Sequence, residues 1–158
     1  MATKYSNQYQ GAFVNKPMDM VAPGDISGDV KFAYFDITIA ATGDLNDVFK
    51  LFRLPKGAKL KSFNLVTPDL GTAGAVQVGW AASEEKTAGT TTAVVAADAA
   101  GILGTTDVNT AAVNSAMVFT SNGFLKHFDA AVDVEMKVQT AWTVTSGTIK
   151  GWAEYVLV

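Results

Sequence analysis

Between Val132 and Val144 the chain alternates strictly: Val132, Val134, Met136, Val138, Thr140, Trp142 and Val144 share one face, while Asp133, Glu135, Lys137 and Gln139 share the other. Successive side chains of a strand point to opposite sides, so the segment reads as a strand with one buried and one wet face. Val76, Val78 and Trp80 repeat the pattern, with Gln77 and Gly79 opposite. Further strands are expected over 30–39, 47–54, 59–67, 115–121, 124–129 and 148–158. Within 30–39 the apolar parity switches at Tyr34-Phe35, which predicts a β-bulge. Pro55-Lys56-Gly57, Pro68-Asp69-Leu70-Gly71 and Ser146-Gly147 are turn sequences, and Asn122-Gly123 has the composition of a tight hairpin loop. The short links around 55–57 suggest an antiparallel meander. About eight strands and no convincing long helix predict an all-β, two-sheet antiparallel β-sandwich, by strand number a jelly roll.

Two stretches break the rhythm. Residues 1–29 are polar, lack a sustained period and carry Pro17, Pro23, Gly24 and Gly28, which interrupt helices and ladders. They read as an extended arm preceding a domain at 30–158. Tyr5, Tyr9, Phe13, Met18 and Met20 are its candidate contact anchors, because aromatic and Met side chains contribute strongly at protein interfaces. The alternative is a frayed tail or an edge strand folded back on its own domain. Residues 83–114 are dominated by Ala, Thr, Ser, Gly and Asp, with a weakly helical patch around Ala93–Ala100. They are expected to form a long loop, either a second contact element or a surface excursion holding one short helix.

Composition narrows the function classes. The 158 residues carry a net charge of −3, and their Lys and Arg are scattered, so the basic patch that nucleic acid or an anionic membrane would require is absent. Only 17% of residues are charged, which leaves a surface rich in small uncharged side chains and favours assembly with other protein surfaces. No cysteine is present, which excludes disulfides and thiolate metal sites and points to stability from packing or oligomerisation. The first ten residues contain no apolar core of a leader sequence, so synthesis in the cytoplasm is the simpler expectation.

Catalytic constellations are sparse. His127 is the single histidine, so Cys-His catalysis and multi-histidine metal sites cannot be built within one chain. Asp129 shares its strand face, yet no nucleophile motif accompanies the pair. Asp44, Asn46 and Asp47 form only a fragment of a calcium-ligand pattern and read better as turn residues. Glu84-Glu85 would point apart on an extended chain, unlike a glycosidase pair. The pairs Gly71/Gly74 and Gly101/Gly104 lack phosphate-loop spacing and read as turns. No enzyme activity, cofactor or metal is expected. Trp80 and Trp142 fall on apolar strand faces, whereas Trp152 shares its parity with Lys150 and Glu154 and is a candidate surface aromatic, for a partner or for sugar stacking.

Tyr5-Ser6-Asn7-Gln8-Tyr9, Pro23-Gly24-Asp25-Ile26-Ser27-Gly28-Asp29-Val30, Leu54-Pro55-Lys56-Gly57-Ala58, Pro68-Asp69-Leu70-Gly71, Val78-Gly79-Trp80-Ala81-Ala82-Ser83 and Tyr155-Val156-Leu157 resemble segments of small virion structural proteins of tailed bacteriophages. The best-fitting role in that group is the head decoration, or cement, protein. The resemblance implies a homotrimeric β-sandwich on the capsid exterior that braces major capsid protein subunits. It also implies no nucleic-acid or membrane partner, synthesis in the host cytoplasm, and no active site. A tail or head-fibre component is the alternative within the virion, and a carbohydrate-binding β-sandwich is the alternative outside it.

Overall fold

A computed structural model describes residues 3–5, 30–71, 73–87, 90–109 and 113–157, with the backbone alone described at 84–87, 90–93 and 113–114. The described strands are β1 (Thr3–Tyr5), β2 (Lys31–Thr38), β3 (Val48–Leu54), β4 (Ala58–Thr67), β5 (Ala75–Trp80), β6 (Ser83–Thr87), β7 (Thr90–Val95), β8 (Asp98–Asp107), β9 (Val113–Ala116), β10 (Val132–Thr140) and β11 (Thr148–Leu157). They form a β-sandwich of a five-stranded sheet A, ordered β1-β3-β10-β5-β8, and a four-stranded sheet B, ordered β2-β11-β4-β9, with β6–β7 as a separate hairpin. No helix occurs among the described residues.

The pairing nests: β2 pairs with β11, β3 with β10, β4 with β9 and β5 with β8, all antiparallel. Strands β2 to β5 alternate between sheets B and A, and β8 to β11 return through the same sequence in reverse. The expected meander is therefore corrected: β3 and β4 lie in opposite sheets. Alternation fixes which face of a strand is buried, and either pairing buries the same face. The turn decides between them. Gly57 adopts φ 82°, and its N–H donates to Phe128 O at 2.8 Å, so the short link carries the chain across the sandwich instead of back along its own sheet.

The inner faces supply the core. Phe35, Phe52 and Phe63 stack with centroids 5.8–6.4 Å apart, Phe49 stacks on Trp142 at 5.8 Å, and Trp80 meets Phe128 edge-on at 5.2 Å. Offset and edge-on ring pairs of this kind add to the burial of their apolar area. Val132, Val134, Met136 and Val138 are all buried, as their alternation predicts. The Trp80 indole N–H donates to Ala96 O at 2.9 Å, satisfying the polar end of a buried ring.

Three further expectations are revised. Strand β2 holds an uninterrupted register with β11 from Lys31 to Thr38, so no bulge occurs at Tyr34-Phe35. Its outward face is itself aromatic, which mimics a parity switch. The 83–114 loop is largely strand: β6, β7, β8 and β9 occupy it, and Ala96–Ala100 enters β8 without helix. Gly101 and Gly104 lie inside β8 rather than in turns. A Cβ on Gly101 would strike the Trp80 ring, and one on Gly79 of the neighbouring β5 would strike the backbone carbonyl of Asp98, whereas Gly104 faces open space. Small residues packed this closely leave no apolar alternation for a sequence reading to detect.

Asn122-Gly123 does not join two strands. Residues 117–128 run beside β4, with Met117 N–H donating to Phe63 O at 3.0 Å and Leu125 N–H to Leu60 O at 2.8 Å, and they reach sheet A where Gly123 N–H donates to Gly101 O at 2.6 Å. The segment closes one flank of the sandwich.

Gly79→Ala is expected to destabilise the fold near the upper end of the about 1–3 kcal/mol typical of overpacking, since the obstacle is backbone and cannot rotate away. Urea denaturation followed by tryptophan fluorescence measures it. A midpoint equal to wild type would show that β8 does not pack so closely on β5.

Candidate interaction surface

The outer faces of the two sheets differ in chemistry. On sheet A, β3 and β10 carry an ionic lattice in which Lys50 Nζ meets Asp133 Oδ2 at 2.8 Å and Arg53 Nε lies 3.7 Å from Asp133 Oδ1. Glu135 stands opposite Lys50 in register. Burial raises the Glu135 carboxyl above its ordinary value; Lys50 and Lys137 oppose that rise, and Asp133 adds to it. A raised folded-state pKa means that the folded chain holds this proton more tightly than the unfolded chain. Ionised Glu135 therefore costs stability, fully so above its folded pKa, and the cost fades as pH falls toward the ordinary carboxylate range. Glu135→Gln is accordingly expected to raise the unfolding midpoint near pH 7, with the gain vanishing below about pH 4. Denaturation midpoints across pH check this, and a gain independent of pH would contradict it.

Sheet B is aromatic outside. Phe32 is 64% exposed, Tyr34 50% and Trp152 36%. Tyr34 lies directly opposite Trp152, and Phe32 opposite Glu154, on the same face of β2 and β11. Cross-strand neighbours on one face lie about 5 Å apart at Cβ, so these rings form one continuous patch at the β2 edge. At the other flank, Val118 is 58% exposed, Phe119 84% and Leu125 44%. Phe119 touches Phe124 edge-on at 4.8 Å. Isolated exposed apolar residues are ordinary on a surface, whereas grouped ones mark interaction sites.

The predicted contact residues divide. Trp152 faces outward as its alternation implies, and Trp80 and Trp142 are buried at 2% each. Tyr5 lies on β1, which pairs in parallel with β3 at the edge of sheet A, so residues 3–5 take the edge-strand alternative weighed for the arm. Lys4 fastens it: its Nζ is 3.0 Å from Asp47 Oδ2 and 5.2 Å from the Phe49 ring centroid. Tyr9, Phe13, Met18 and Met20 lie outside the described residues. Phe32, Tyr34 and Phe119 were missed by the sequence reading. The signal for the first two was present as apolar residues on both parities of β2, the mark of a strand with a core on one side and an apolar surface on the other.

The residues tested for chemistry have structural roles here. His127 Nδ1 lies 3.1 Å from Asp129 Oδ1, with both side chains largely exposed, and His127 bridges to Lys59 at the margin of sheet B. Asp47 is buried and accepts from the Lys4 ammonium, and its backbone N–H donates to Asp44 O at 3.0 Å. Asn46 between them takes a left-handed φ of 69°, as a turn Asn readily does. Asp69 Oδ1 accepts from Gly71 N–H at 2.8 Å, closing the 68–71 turn. Among the described residues no three His, Cys, Asp or Glu side chains are grouped to hold a metal ion. Among the described residues the outer faces present grouped apolar rings and an ionic lattice to other surfaces.

No protein-family model matches the chain, and no curated protein matches it. Solved structures do resemble it in fold. A chain of the capsid of Ralstonia phage GP4 superimposes with a TM-score of 0.71 at 22% identity, covering 99% of this chain and 99% of that one. A chain of the cyanophage Pam1 capsid asymmetric unit superimposes with a TM-score of 0.64 at 21% identity, covering 91% of this chain and 96% of that one. At these identities the likeness is one of fold.

Proposed function

We propose that the chain is a non-catalytic structural protein of a bacteriophage virion that binds the outer capsid surface and braces major capsid protein subunits. It acts as a homotrimer, without cofactor, nucleic acid or membrane, and is made in the host cytoplasm. We read the nested winding of its strands as a jelly roll, and residues 1–29, apart from the β1 segment held on sheet A, as an arm that reaches neighbouring subunits. The observation that carries this reading is the fold likeness over 99% of both chains to a component of a phage capsid, on a sandwich whose exposed features are grouped apolar rings. A cement protein needs adhesive surfaces and no active site. Because it binds the assembled lattice and not the free subunits, mass action makes it stabilise that lattice.

Mass spectrometry of gradient-purified virions, with electron microscopy of labelled particles, tests the assignment. A stoichiometric copy number with label over the head shell is the expected result. Label confined to the tail or to a head fibre would transfer the protein there. The exposed Trp152 opposite Tyr34 also favours a second reading, a flat sugar-stacking platform. That reading requires the free protein to bind glycans and Trp152→Ala to abolish the binding; an empty glycan array removes it.

A further inference from the structure

We propose that Asn122 is a latent site of spontaneous deamidation, held unreactive by the packing of residues 117–128 on β8, and that its conversion releases that segment from sheet A. Asn-Gly is the dipeptide most open to this reaction, because a glycine has no side chain to shield its backbone nitrogen from the asparagine amide carbon. The Gly123 nitrogen attacks Asn122 Cγ. The new N–C bond closes a cyclic imide, the Cγ–Nδ2 bond breaks, and Nδ2 leaves as ammonia with the proton that the Gly123 nitrogen gives up. Water then opens the imide. Cleavage of the bond to Cγ gives an aspartate, and cleavage of the bond to the Asn122 main-chain carbonyl carbon gives an isoaspartate, whose backbone runs through the former side chain. Water enters, ammonia leaves, and nothing is oxidised or reduced.

The fold itself demands this labile pair. Gly123 is buried, and a Cβ there would lie 3.0 Å from Gly101 O and 3.1 Å from the Ile102 side chain, so a larger residue crowds β8. Asn122 Nδ2 donates to Asp98 Oδ2 at 2.8 Å, a contact that needs an amide donor opposite the carboxylate. The same contacts suppress the reaction. Gly123 N–H donates to Gly101 O at 2.6 Å, which directs it at a carbonyl of β8. The leaving amide is fixed on Asp98, whose Oδ1 accepts from Ala100 N–H at 3.2 Å. Phe124 N–H closes the turn on Ser121 O at 3.0 Å, which holds the backbone on both sides of the pair. Bringing Cγ over the Gly123 nitrogen breaks both contacts to β8, so the reaction waits on local opening of the segment.

Once made, the product cannot reseat in the same way. A carboxylate at position 122 faces the Asp98 carboxylate without a donor between them, and like charges repel. Lys126 is turned instead onto the Trp80 and Phe128 rings, at 5.3 and 5.8 Å from their centroids. The isoaspartate also lengthens the backbone by one atom, which displaces Gly123 from Gly101 O. The flank that carries Phe119 then keeps its ties to β4, among them Leu125 N–H to Leu60 O, and loses its hydrogen bonds to β8.

Peptide mass mapping of the full chain, kept at mildly alkaline pH once folded and once in urea, follows the reaction at Asn122. In urea Asn122 should be the first asparagine to convert. In the folded chain it should convert at least about tenfold more slowly, the factor expected if both hydrogen bonds must open first. Asn122→Asp should weaken the folding equilibrium about tenfold, and adding Asp98→Asn, which swaps carboxylate and amide, should restore most of the loss. Conversion of the folded chain at the urea rate, an Asn122→Asp chain as stable as wild type, or a double variant no more stable than the single one would overturn the proposal. Each readout is made on the purified chain, so its outcome is independent of whether the protein binds capsids.

Discussion

Phe63→Ala is expected to lower the stability of the sandwich by about 3–5 kcal/mol, the usual cost of emptying a buried phenylalanine site. Phe63 is 0% exposed and lies against Phe35 and Phe52 at 5.8 and 6.4 Å between centroids. The three rings come from β4, β2 and β3, two strands of sheet B and one of sheet A, so they stitch the layers together. Removing one ring of this three-way cluster leaves a cavity that close-packed neighbours fill only in part. Against a total stability of roughly 5–15 kcal/mol for a domain, the loss approaches unfolding. Phe119→Ser removes a ring of the same kind, but that ring is 84% exposed, and the expected loss is within about 0.5 kcal/mol. Parallel urea denaturation of the two variants reads the contrast. Equal losses would contradict the placement of the core and of the exposed loop.

Deletion of residues 2–28 is expected to leave a folded sandwich that no longer joins capsids. The eight strands of the nested pairing all lie between Lys31 and Leu157, so the core keeps its partners. What the fold loses is β1 and its lysine, leaving the buried Asp47 without that cation, and a modest drop in denaturation midpoint follows. What binding is expected to lose is the proposed anchor set Tyr5, Tyr9, Phe13, Met18 and Met20. With three of these contributing about 1.4 kcal/mol each, capsid affinity falls by about a thousandfold. Circular dichroism and capsid sedimentation of the truncated chain separate the two effects. An unfolded truncated chain would place the arm in the core of the domain, and a folded one that still binds would place adhesion elsewhere.

What could be read from sequence follows from how local each feature is. β5 and β10 were legible because one face is buried and the other wet, so period-two alternation survives in the residues themselves. The outward Trp152 and the inward Trp80 and Trp142 followed from the same parity. The nested pairing was not legible. Strand β2 meets β11 across more than a hundred residues, and alternation carries no information about which distant edge a strand will meet. β8 was hidden for a different reason: Gly101 and its small neighbours are selected by the Trp80 ring and by the close approach of Asp98 to Gly79. The aromatic face of β2 was visible but misread, because Phe32 and Tyr34 next to Phe35 and Ile37 suggested an interrupted core strand. Two apolar faces, one buried in the core and one exposed, account for the same residues without a bulge.

The proposed cementing of a capsid shell is tested most directly by sedimentation of the purified chain with expanded phage heads lacking it. Saturable binding at a fixed ratio to the shell subunits is expected, with heads that resist heating better once loaded. A chain that stays in the supernatant, or that pellets without altering the heat resistance of the heads, would contradict it.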